Sequence, residues 1–437
     1  MRVLIDGRYL SIPQETGIAT YARNLNRLNK DLGHEIEVLC DIPVTARTPA
    51  VLGEALLYDP HWKGPPGIIG RAFDLAGTLP GVAGFRVRVH EIRPTGFVVQ
   101  KGLESRLPAH DRMLSSSSIF ARAAIHFALT GRFLKIDLPN KVDIAHWTMP
   151  IPITIRRAKN IYTIHDVIPL KLPYTTADNR IKFYKLVKRV AAVADHIIVV
   201  SETTRKDVLV LFPAAADKMT NTFESVQLPP SILEMAAGDL ERLLSNQFGL
   251  EIGRYFLFYA AIEPKKNLGR LIKAYLAAEL AYPLIIVGKK AYRADDELAM
   301  LQSHAARQAL GAGAMKSKVI YLGYLPPPEL VTLIRGARAV LFPSIYEGFG
   351  LPVLEAMMCG TPVLTSNLGS TREIATPESA MLVDPYDISS ISTAIQQLST
   401  DDDLCRRLSI AGRQRAESFS WRRYADLVAD VYRRVAA

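Results

Sequence analysis

The chain has 437 residues, 49% hydrophobic and 22% charged, which are the proportions of a globular protein long enough for two domains. Its formal net charge of +10 lies in the first 200 residues, which hold 27 Lys and Arg against 17 Asp and Glu, whereas residues 201–437 hold 26 of each. This excess predicts an anionic partner for the N-terminal half, such as acidic lipid head groups or a lipid-linked diphosphate. Nucleic acid is a less favoured partner, because the sequence has no nucleic-acid-binding module and no interleaving of aromatic and basic residues.

The first elements are a strand over Arg2–Asp6 and then a turn and a helix over 14–25. A strand at the N-terminus is not the apolar core of a signal peptide, and no stretch approaches the roughly 20 apolar residues of a membrane span, so we predict a cytoplasmic protein. The three cysteines lack metal-ligand spacing and are predicted to be reduced. Gly17 stands at the head of the helix, where it either lets a phosphate approach the backbone or simply starts the helix.

The region from 45 to 140 has the weakest pattern, with scattered Pro and Gly and one predicted helix over 119–135. A clearer amphipathic helix follows over 180–194, and its basic residues share one face: Lys182, Lys185, Lys188 and Arg189. That face is either an ordinary solvated surface or one that meets an anionic membrane.

Between these helices, an apolar strand within 160–169 ends in His165 and Asp166. The carboxyl ends of strands in an open α/β sheet face the crevice where ligands bind. A histidine at that place is either a ligand contact or a structural residue.

The second half begins with a strand over 255–260 and the segment Glu263–Asn267, EPKKN, with Asn267 predicted to cap the next helix. Lys265 and Lys266 bring positive charge to a helix N-terminus, where the helix dipole disfavours it. A bound anion would explain that arrangement. Two further strands are predicted over 283–288 and 319–322, and Leu325 follows the second of them.

Residues 339–374 carry the strongest pattern: a buried strand, a glycine-bearing loop, a helix and another strand. The amides of Phe349, Gly350 and Leu351 would point into the crevice as an anion site. Glu347 precedes the helix and Glu355 lies one turn into it. Each glutamate taken alone is readily explained as a helix cap or a solvated residue, but the two together around Gly-Phe-Gly-Leu-Pro favour a function.

Ser344, Glu347–Pro352 and Glu355 resemble the glutamate-x7-glutamate motif of the retaining glycosyltransferases of family 4. The resemblance implies an α/β protein of the GT-B fold, with two Rossmann-like doubly wound domains facing a cleft. It also implies a C-terminal helix that crosses back to the N-terminal domain. The expected boundaries are 1–235 for the N-terminal domain on the acceptor side, 254–415 for the nucleotide-sugar-binding domain and 416–437 for the crossing helix.

The resemblance also implies roles for individual residues. Lys266 would bind the donor diphosphate, Glu347 and His165 would hold the donor sugar, and these are the expected catalytic residues. Asp166 would lie on the acceptor side. The expected donor-binding residues are Gly17, Lys265, Leu325, Phe349, Gly350, Leu351 and Glu355. Neither a metal nor a cofactor is expected, since the nucleotide sugar is a substrate.

Within the family, the segments LIDGRYL, TGIATYARNL, TIHDVIPL and IEPKKN look most like bacterial mannosyltransferases of polysaccharide assembly. The resemblance implies GDP-mannose as donor and a glycan or lipid-linked acceptor, with peripheral contact of the basic N-terminal domain with the inner face of the cytoplasmic membrane. A UDP-sugar-dependent hexosyltransferase, a phosphorylase or synthase of the same fold, and a non-catalytic nucleotide-sugar-binding protein are the alternatives. The chain departs from the family near Ala260, where a basic residue of some members is missing, and over 221–230, where a Pro-Asn-Gly-like turn is absent.

Overall fold

The computed structural model describes residues 1–11, 17–59, 87–101, 107–299 and 319–437. The turn predicted before Gly17 and part of the weakly patterned region lie outside these residues. The described chain forms two mostly parallel sheets, one in each half, and a small two-stranded sheet. Parallel strands need crossover helices, and the alternation of strands and helices along both halves supplies them.

The first sheet has eight strands in the order β10-β9-β8-β6-β1-β2-β4-β3. All neighbours are parallel except β3 and β4. Strand order reverses between β1 and β6, so the carboxyl ends of these strands open a crevice. The strands of this half are β1 (Arg2–Asp6), β2 (Glu35–Cys40), β3 (His90–Ile92), β4 (Arg112–Ser115), β5 (Leu134–Ile136), β6 (Ile144–Trp147), β7 (Ile153–Ile155), β8 (Lys159–Ile164), β9 (His196–Val199) and β10 (Met219–Asn221), with β5 and β7 forming the small sheet.

The second sheet has six parallel strands in the order β13-β12-β11-β14-β15-β16. This is the strand order of the dinucleotide-binding Rossmann fold, with its switch point between β11 and β14. Four of the strands are buried throughout, as expected of apolar runs covered by helices on both faces. The strands are β11 (Phe256–Tyr259), β12 (Leu284–Val287), β13 (Val319–Gly323), β14 (Ala339–Phe342), β15 (Val363–Ser366) and β16 (Met381–Val383).

The helices match most of the predicted amphipathic segments, with one clear error. The helix predicted over 119–135 ends at Thr130, because Gly131 adopts a left-handed φ of 66° and Leu134–Ile136 forms a strand. The helices are α1 (Gly17–Asp31), α2 (Ala50–Tyr58), α3 (Ile119–Thr130), α4 (Ile168–Lys171), α5 (Arg180–Val193), α6 (Glu202–Leu211), α7 (Pro230–Leu233), α8 (Ala237–Phe248), α9 (Leu268–Ala277), α10 (Pro327–Gly336), α11 (Leu351–Cys359), α12 (Thr371–Ile374), α13 (Ile388–Thr400), α14 (Asp402–Glu417) and α15 (Trp421–Ala436).

The last helix returns to the first sheet. Within α15, the Tyr432 hydroxyl lies 2.7 Å from Nδ1 of the buried His146 on β6, and the Asn29 amide donates to it at 3.4 Å. The Trp421 indole donates to Asp31 at 3.1 Å. These contacts tie the C-terminus to the N-terminal half, while the numerical domain boundaries remain predictions. No helix in the described part of the chain combines the length and apolarity needed to cross a bilayer.

Candidate functional site

The site of interest lies where β11 and β14 end, at the switch point of the second sheet. The loop after β11 carries Lys265 and Lys266, and the loop after β14 carries Ser344 to Gly350. The two loops are joined, because the Ile345 amide and the Ser344 hydroxyl both donate to the Lys265 carbonyl oxygen, at 2.8 and 3.0 Å. Residues 79 positions apart in sequence therefore share one rigid surface.

Lys266 and Glu347 form a nearly buried ion pair at the centre of this surface. The Lys266 ammonium lies 2.7 and 2.8 Å from the two carboxylate oxygens of Glu347, and the Ser344 hydroxyl donates to the same carboxylate at 2.5 Å. The two side chains are 13% and 9% exposed. A buried pair of this kind leaves an uncompensated charge when either partner is lost, so both groups are strongly constrained.

Asn267 fixes this arrangement in a way that the sequence does not predict. It is the residue before α9, but its side chain makes no capping bond and its φ is 63°. Its amide donates instead to the carbonyl oxygens of Pro343 and Pro385, at 2.9 and 2.7 Å. The prediction that Asn267 caps the helix is therefore wrong, because the side chain connects three loops.

The loop before α11 has the form of an anion site. Gly350 has a φ of 117°, which a side chain would disfavour, and the described residues offer no acceptor to the amides of Phe349, Gly350 and Leu351. The Phe349 ring is buried against Phe419, with 5.7 Å between ring centroids. Unpaired amides at the start of a helix attract negative charge.

Glu355 lies in the first turns of the same helix and is half-buried. Burial raises the pKa of its carboxyl to about 7, although the neighbouring Tyr259 hydroxyl opposes the shift. The Tyr259 hydroxyl donates to the Pro352 carbonyl oxygen at 2.8 Å, which anchors the start of α11 to β11. The Glu355 carboxyl is therefore close to half-ionised near neutral pH.

Lys265 lies beside carboxylates of both halves of the protein. Burial opposes its charge, but Glu263, Asp166 and Glu347 together raise the pKa of its ammonium group. The Glu263 carboxylate is 3.1 Å away. The Asp166 carboxylate also accepts a bond from the Ile168 amide at 3.0 Å, at the start of α4. Asp166 and Lys265, predicted on opposite sides of a cleft, are thus close enough for the Asp166 charge to act on the Lys265 ammonium group.

His165 follows β8 directly, at the carboxyl edge of the first sheet, as predicted. Its ring lies 3.0 Å from the Glu224 carboxylate and 2.8 Å from the Thr148 carbonyl oxygen. Its own carbonyl oxygen lies so close to Gly348 that a Cβ on that glycine would be 2.3 Å from it. The structure therefore brings His165 against the residue next to Glu347.

Further contacts between the halves surround this point and were not predicted. The Glu373 carboxylate accepts from the amides of Glu202 and Thr203 at 2.8 and 2.6 Å, so it caps α6 from the other half of the protein. The Tyr346 hydroxyl donates to Asp207 on the same helix. Carboxylates and hydroxyls of this type give no local sequence signal, because their partners lie more than 130 residues away.

Gly17 and Leu325 have no recorded contact with the Lys266–Glu347 pair in the part of the chain that the structure describes. Gly17 begins α1, is exposed and has open space where a Cβ would be. Leu325 is half-buried against the core of the second half, before α10. Neither makes a hydrogen bond to the Lys266–Glu347 pair among the described residues. Their donor-binding roles stay predictions.

The chain is also similar to known proteins. Residues 244–415 match the family described as "Glycosyl transferases group 1". O-antigen chain mannosyltransferase B of Escherichia coli is 32% identical over 280 residues, which cover 62% of this chain and 68% of that protein. The serotype-specific mannosyltransferase WbdA of Escherichia coli is 31% identical over 295 residues, which cover 66% of this chain but only 35% of WbdA.

Solved structures extend the likeness beyond the matched family region. HepE of Anabaena, solved in complex with UDP, has a TM-score of 0.64 at 14% identity, and the alignment covers 98% of this chain and 99% of that one. Such a low identity concerns the fold alone, which is GT-B. Given the 32% identity over more than two thirds of mannosyltransferase B, the chain belongs to the glycosyl transferases of group 1.

Proposed function

We propose that this protein is a retaining hexosyltransferase that moves mannose from GDP-mannose to a hydroxyl group of a glycan or lipid-linked oligosaccharide in surface polysaccharide assembly. The observation that carries the proposal is the contact of Lys266 with Glu347 beside the unpaired amides of Phe349 to Leu351. The mannosyltransferase relatives support the identity of the sugar.

Binding of the donor would separate Lys266 from Glu347 and give each of them a new partner. A diphosphate oxygen takes the place of Glu347 against the Lys266 ammonium, and hydroxyl groups of the sugar donate to the freed Glu347 carboxylate. The Phe349 to Leu351 amides bind further phosphate oxygens. Lys266 then faces a phosphate charge and Glu347 accepts hydrogen bonds from the sugar, so neither group is left buried without a partner.

The chemical step breaks the bond between the anomeric carbon and the diphosphate oxygen. Negative charge builds on the leaving diphosphate, where Lys266 and the amides stabilise it. The acceptor hydroxyl attacks from the face that the diphosphate leaves, which retains the configuration, and its proton passes to a departing phosphate oxygen. The products are the glycosylated acceptor and GDP.

Metal independence is part of the proposal. Lys266 and helix-terminal amides can supply the positive charge that a divalent ion supplies in other phosphate-handling sites. We expect transfer to continue at the same rate in excess EDTA. A rate that falls with EDTA and returns with Mg²⁺ or Mn²⁺ would refute this part while leaving the donor assignment intact.

Donor identity is tested by thermal unfolding with a panel of nucleotides and nucleotide sugars. A ligand that binds only the folded protein raises its melting temperature by mass action. We expect a larger shift with GDP than with UDP, and a smaller GDP shift in Glu355→Ala, because Glu355 would hold the ribose. A larger shift with UDP would replace GDP-mannose by a UDP-sugar.

Activity itself is tested by GDP release from GDP-mannose with and without a mannose-containing acceptor. We expect release to depend on the acceptor and the mannose to appear in the product in the α-configuration of the donor. Free mannose without acceptor dependence would indicate hydrolysis. Turnover that requires inorganic phosphate would indicate a phosphorylase, and tight GDP binding without release would indicate a binding protein.

We also propose that α5 brings the enzyme to the inner face of an anionic membrane. Ile181 and Tyr184 are 68% and 39% exposed among basic side chains, as in helices that lie on membrane surfaces. Vesicles with phosphatidylglycerol should sediment the protein and phosphatidylcholine vesicles should not. The Lys182→Glu/Lys185→Glu pair should weaken binding by about 1 kcal/mol or more per lysine. Arg406→Glu, on the exposed face of α14, serves as the control.

A further inference from the structure

The imidazole ring of His165 has both nitrogen atoms engaged inside the protein. Nε2 faces the Thr148 carbonyl oxygen at 2.8 Å, and a carbonyl oxygen only accepts hydrogen bonds, so Nε2 carries a proton. Nδ1 faces the Glu224 carboxylate at 3.0 Å. An ionised carboxylate can only accept a hydrogen bond, so this contact favours a proton on Nδ1 as well, which makes the ring an imidazolium.

Both partners of the ring are themselves held in place. The Thr148 amide donates to the fully buried Asp6 carboxylate at 2.6 Å, which fixes the carbonyl group that the ring contacts. Glu224 is 6% exposed. Its neighbour Ser225 is fixed twice, because its carbonyl oxygen accepts from Asn24 at 2.9 Å and its hydroxyl donates to the Phe419 carbonyl oxygen at 2.8 Å.

The charged groups around the ring favour the imidazolium. Burial alone would lower the pKa of His165, but the hydrogen bond and charge of Glu224, with the Thr148 carbonyl and Asp166, raise it above the ordinary value. The ring also packs against Tyr21 edge to face, at 4.7 Å between centroids. The other histidine whose charge would act on it is His146, which is fully buried and whose pKa burial lowers to about 3. His146 is therefore neutral at neutral pH and does not repel the ring.

The imidazolium lies directly beneath the contact between the two halves. The carbonyl oxygen of His165 accepts from the Thr204 hydroxyl at 2.8 Å and abuts Gly348, the residue after Glu347. A rotation of the ring or a shift of β8 would therefore move the surface that meets the donor-binding loop. The ring orientation is set by Glu224 and Thr148.

We propose that Glu224 is a positioning residue, which keeps His165 doubly protonated and fixed so that it serves the transfer as a stationary cation and never as a base. The proposal rests on the proposed glycosyl transfer. It also gives a role to the segment 221–230, which matches no motif of the family. In the proposed reaction the departing phosphate takes the proton of the acceptor hydroxyl. No proton then remains for a neutral His165 nitrogen to remove, so a base at this position has no role.

The test compares Glu224→Gln with the natural protein by the pH dependence of kcat/KM and by ring ¹⁵N chemical shifts of His165. Gln keeps an oxygen that accepts from Nδ1 but removes the charge. We expect the alkaline limb of the pH profile to move to lower pH by at least one unit, with activity approaching the natural level only at pH values below that limb. Glu234→Gln, at an exposed position nearby, should leave the profile unchanged.

The ring measurement separates this proposal from the proposed function, since it needs no substrate. His165 should show two protonated nitrogens at pH 7 in the natural protein and one in Glu224→Gln. A neutral ring in the natural protein, or a natural pH profile in an active and folded Glu224→Gln, overturns the role of Glu224. Failure of the natural protein to release GDP with any donor and acceptor overturns the proposed function, and the ring spectra still decide the charge of His165.

Discussion

Each half of the protein contributes one nearly buried ion pair to the same point of contact. In the second half Lys266 pairs with Glu347 at 2.7 Å, and in the first half His165 pairs with Glu224 at 3.0 Å. Both pairs stand at the carboxyl edge of a parallel sheet. They differ in what surrounds the cation, because Lys266 lies beside unpaired amides whereas both nitrogens of His165 already have acceptors.

This difference implies different roles for the two ion pairs. An ammonium group beside unpaired amides can exchange its carboxylate for another anion, since the amides then gain a partner too. An imidazolium with both protons bonded gains nothing from an exchange. We therefore expect the pair in the second half to open when the donor binds and the pair in the first half to persist.

The largest expected effect is on the exchangeable pair. Lys266→Ala should lower kcat about 100- to 1,000-fold, the usual cost of removing one group that stabilises developing charge. The control is Lys290→Ala, which removes an exposed lysine paired with Asp295. GDP-release assays at saturating donor check both. A Lys266→Ala enzyme within threefold of the natural rate would mean that the ion pair is structural.

The second prediction tests whether turnover requires the contact between His165 and the loop that carries Glu347. Gly348→Ala places a methyl group 2.3 Å from the His165 carbonyl oxygen, a separation that the backbone must relieve by moving the halves apart. A displacement near 1 Å can cost about 100-fold in rate, so we expect kcat to fall by that order. Since Lys266 and the Phe349 to Leu351 amides, the proposed phosphate contacts, all lie within the second half, GDP affinity by calorimetry should change little.

Gly238→Ala is the matched control, because nothing lies within 4 Å of a Cβ at that position. It should have the natural rate. If Gly348→Ala and Gly238→Ala were equally active, turnover would not require the contact seen here between the halves.

The two pairs also differ in how far the sequence predicts them. Lys266, Glu347 and Glu355 lie within short motifs whose spacing fixes them on a loop and a helix, and the strand Ala339–Phe342 is found as predicted. His165 was predicted from its place at the end of β8. Its partner Glu224 was not, because the pairing depends on the packing of a loop 59 residues away.

The same limit explains the other unpredicted contacts. The Glu373 cap on α6 joins residues 171 positions apart, and no periodic pattern of residues in the sequence predicts such a contact. Local rules do work where the cap is local: Ser201 stands directly before α6 and accepts from the Thr204 amide, as expected of a serine at a helix N-terminus. Local patterns thus predict the elements and the motifs expected to bind the donor, whereas the surfaces that join the halves come from packing.

A third prediction concerns the carboxyl group beside the exchangeable pair. Burial raises the pKa of Glu355 to about 7, so the folded protein holds this proton more tightly than the unfolded chain. Stability is therefore lost as the pH rises from 4.5 to about 7, by roughly 3–4 kcal/mol at most. Glu355→Gln removes this dependence and should be more stable than the natural protein at pH 8 but not at pH 5.

Urea unfolding at both pH values measures the difference, with the exposed Glu241→Gln as control. Proton release provides a second measurement. If Glu355 accepts hydroxyl groups of the ribose in its ionised form, GDP binding near pH 7 should release a proton, seen as a buffer-dependent binding enthalpy. Equal stability gains at pH 5 and pH 8 would argue against a titrating Glu355.

The smallest expected effect concerns the cap between the halves. Glu373→Gln keeps an acceptor for the Glu202 and Thr203 amides but loses the charge that favours a helix N-terminus, at a cost of about 1 kcal/mol. If this cap stabilises the contact of Gly348 with His165, the cost falls on the closed arrangement alone. The apparent KM of the donor should then rise about fivefold with kcat nearly unchanged, because closure would be completed once both substrates are bound. A lower melting temperature with unchanged kcat and KM would instead mean that the cap stabilises the folded protein without affecting turnover. The contact of Gly348 with His165 would then be the one that governs turnover.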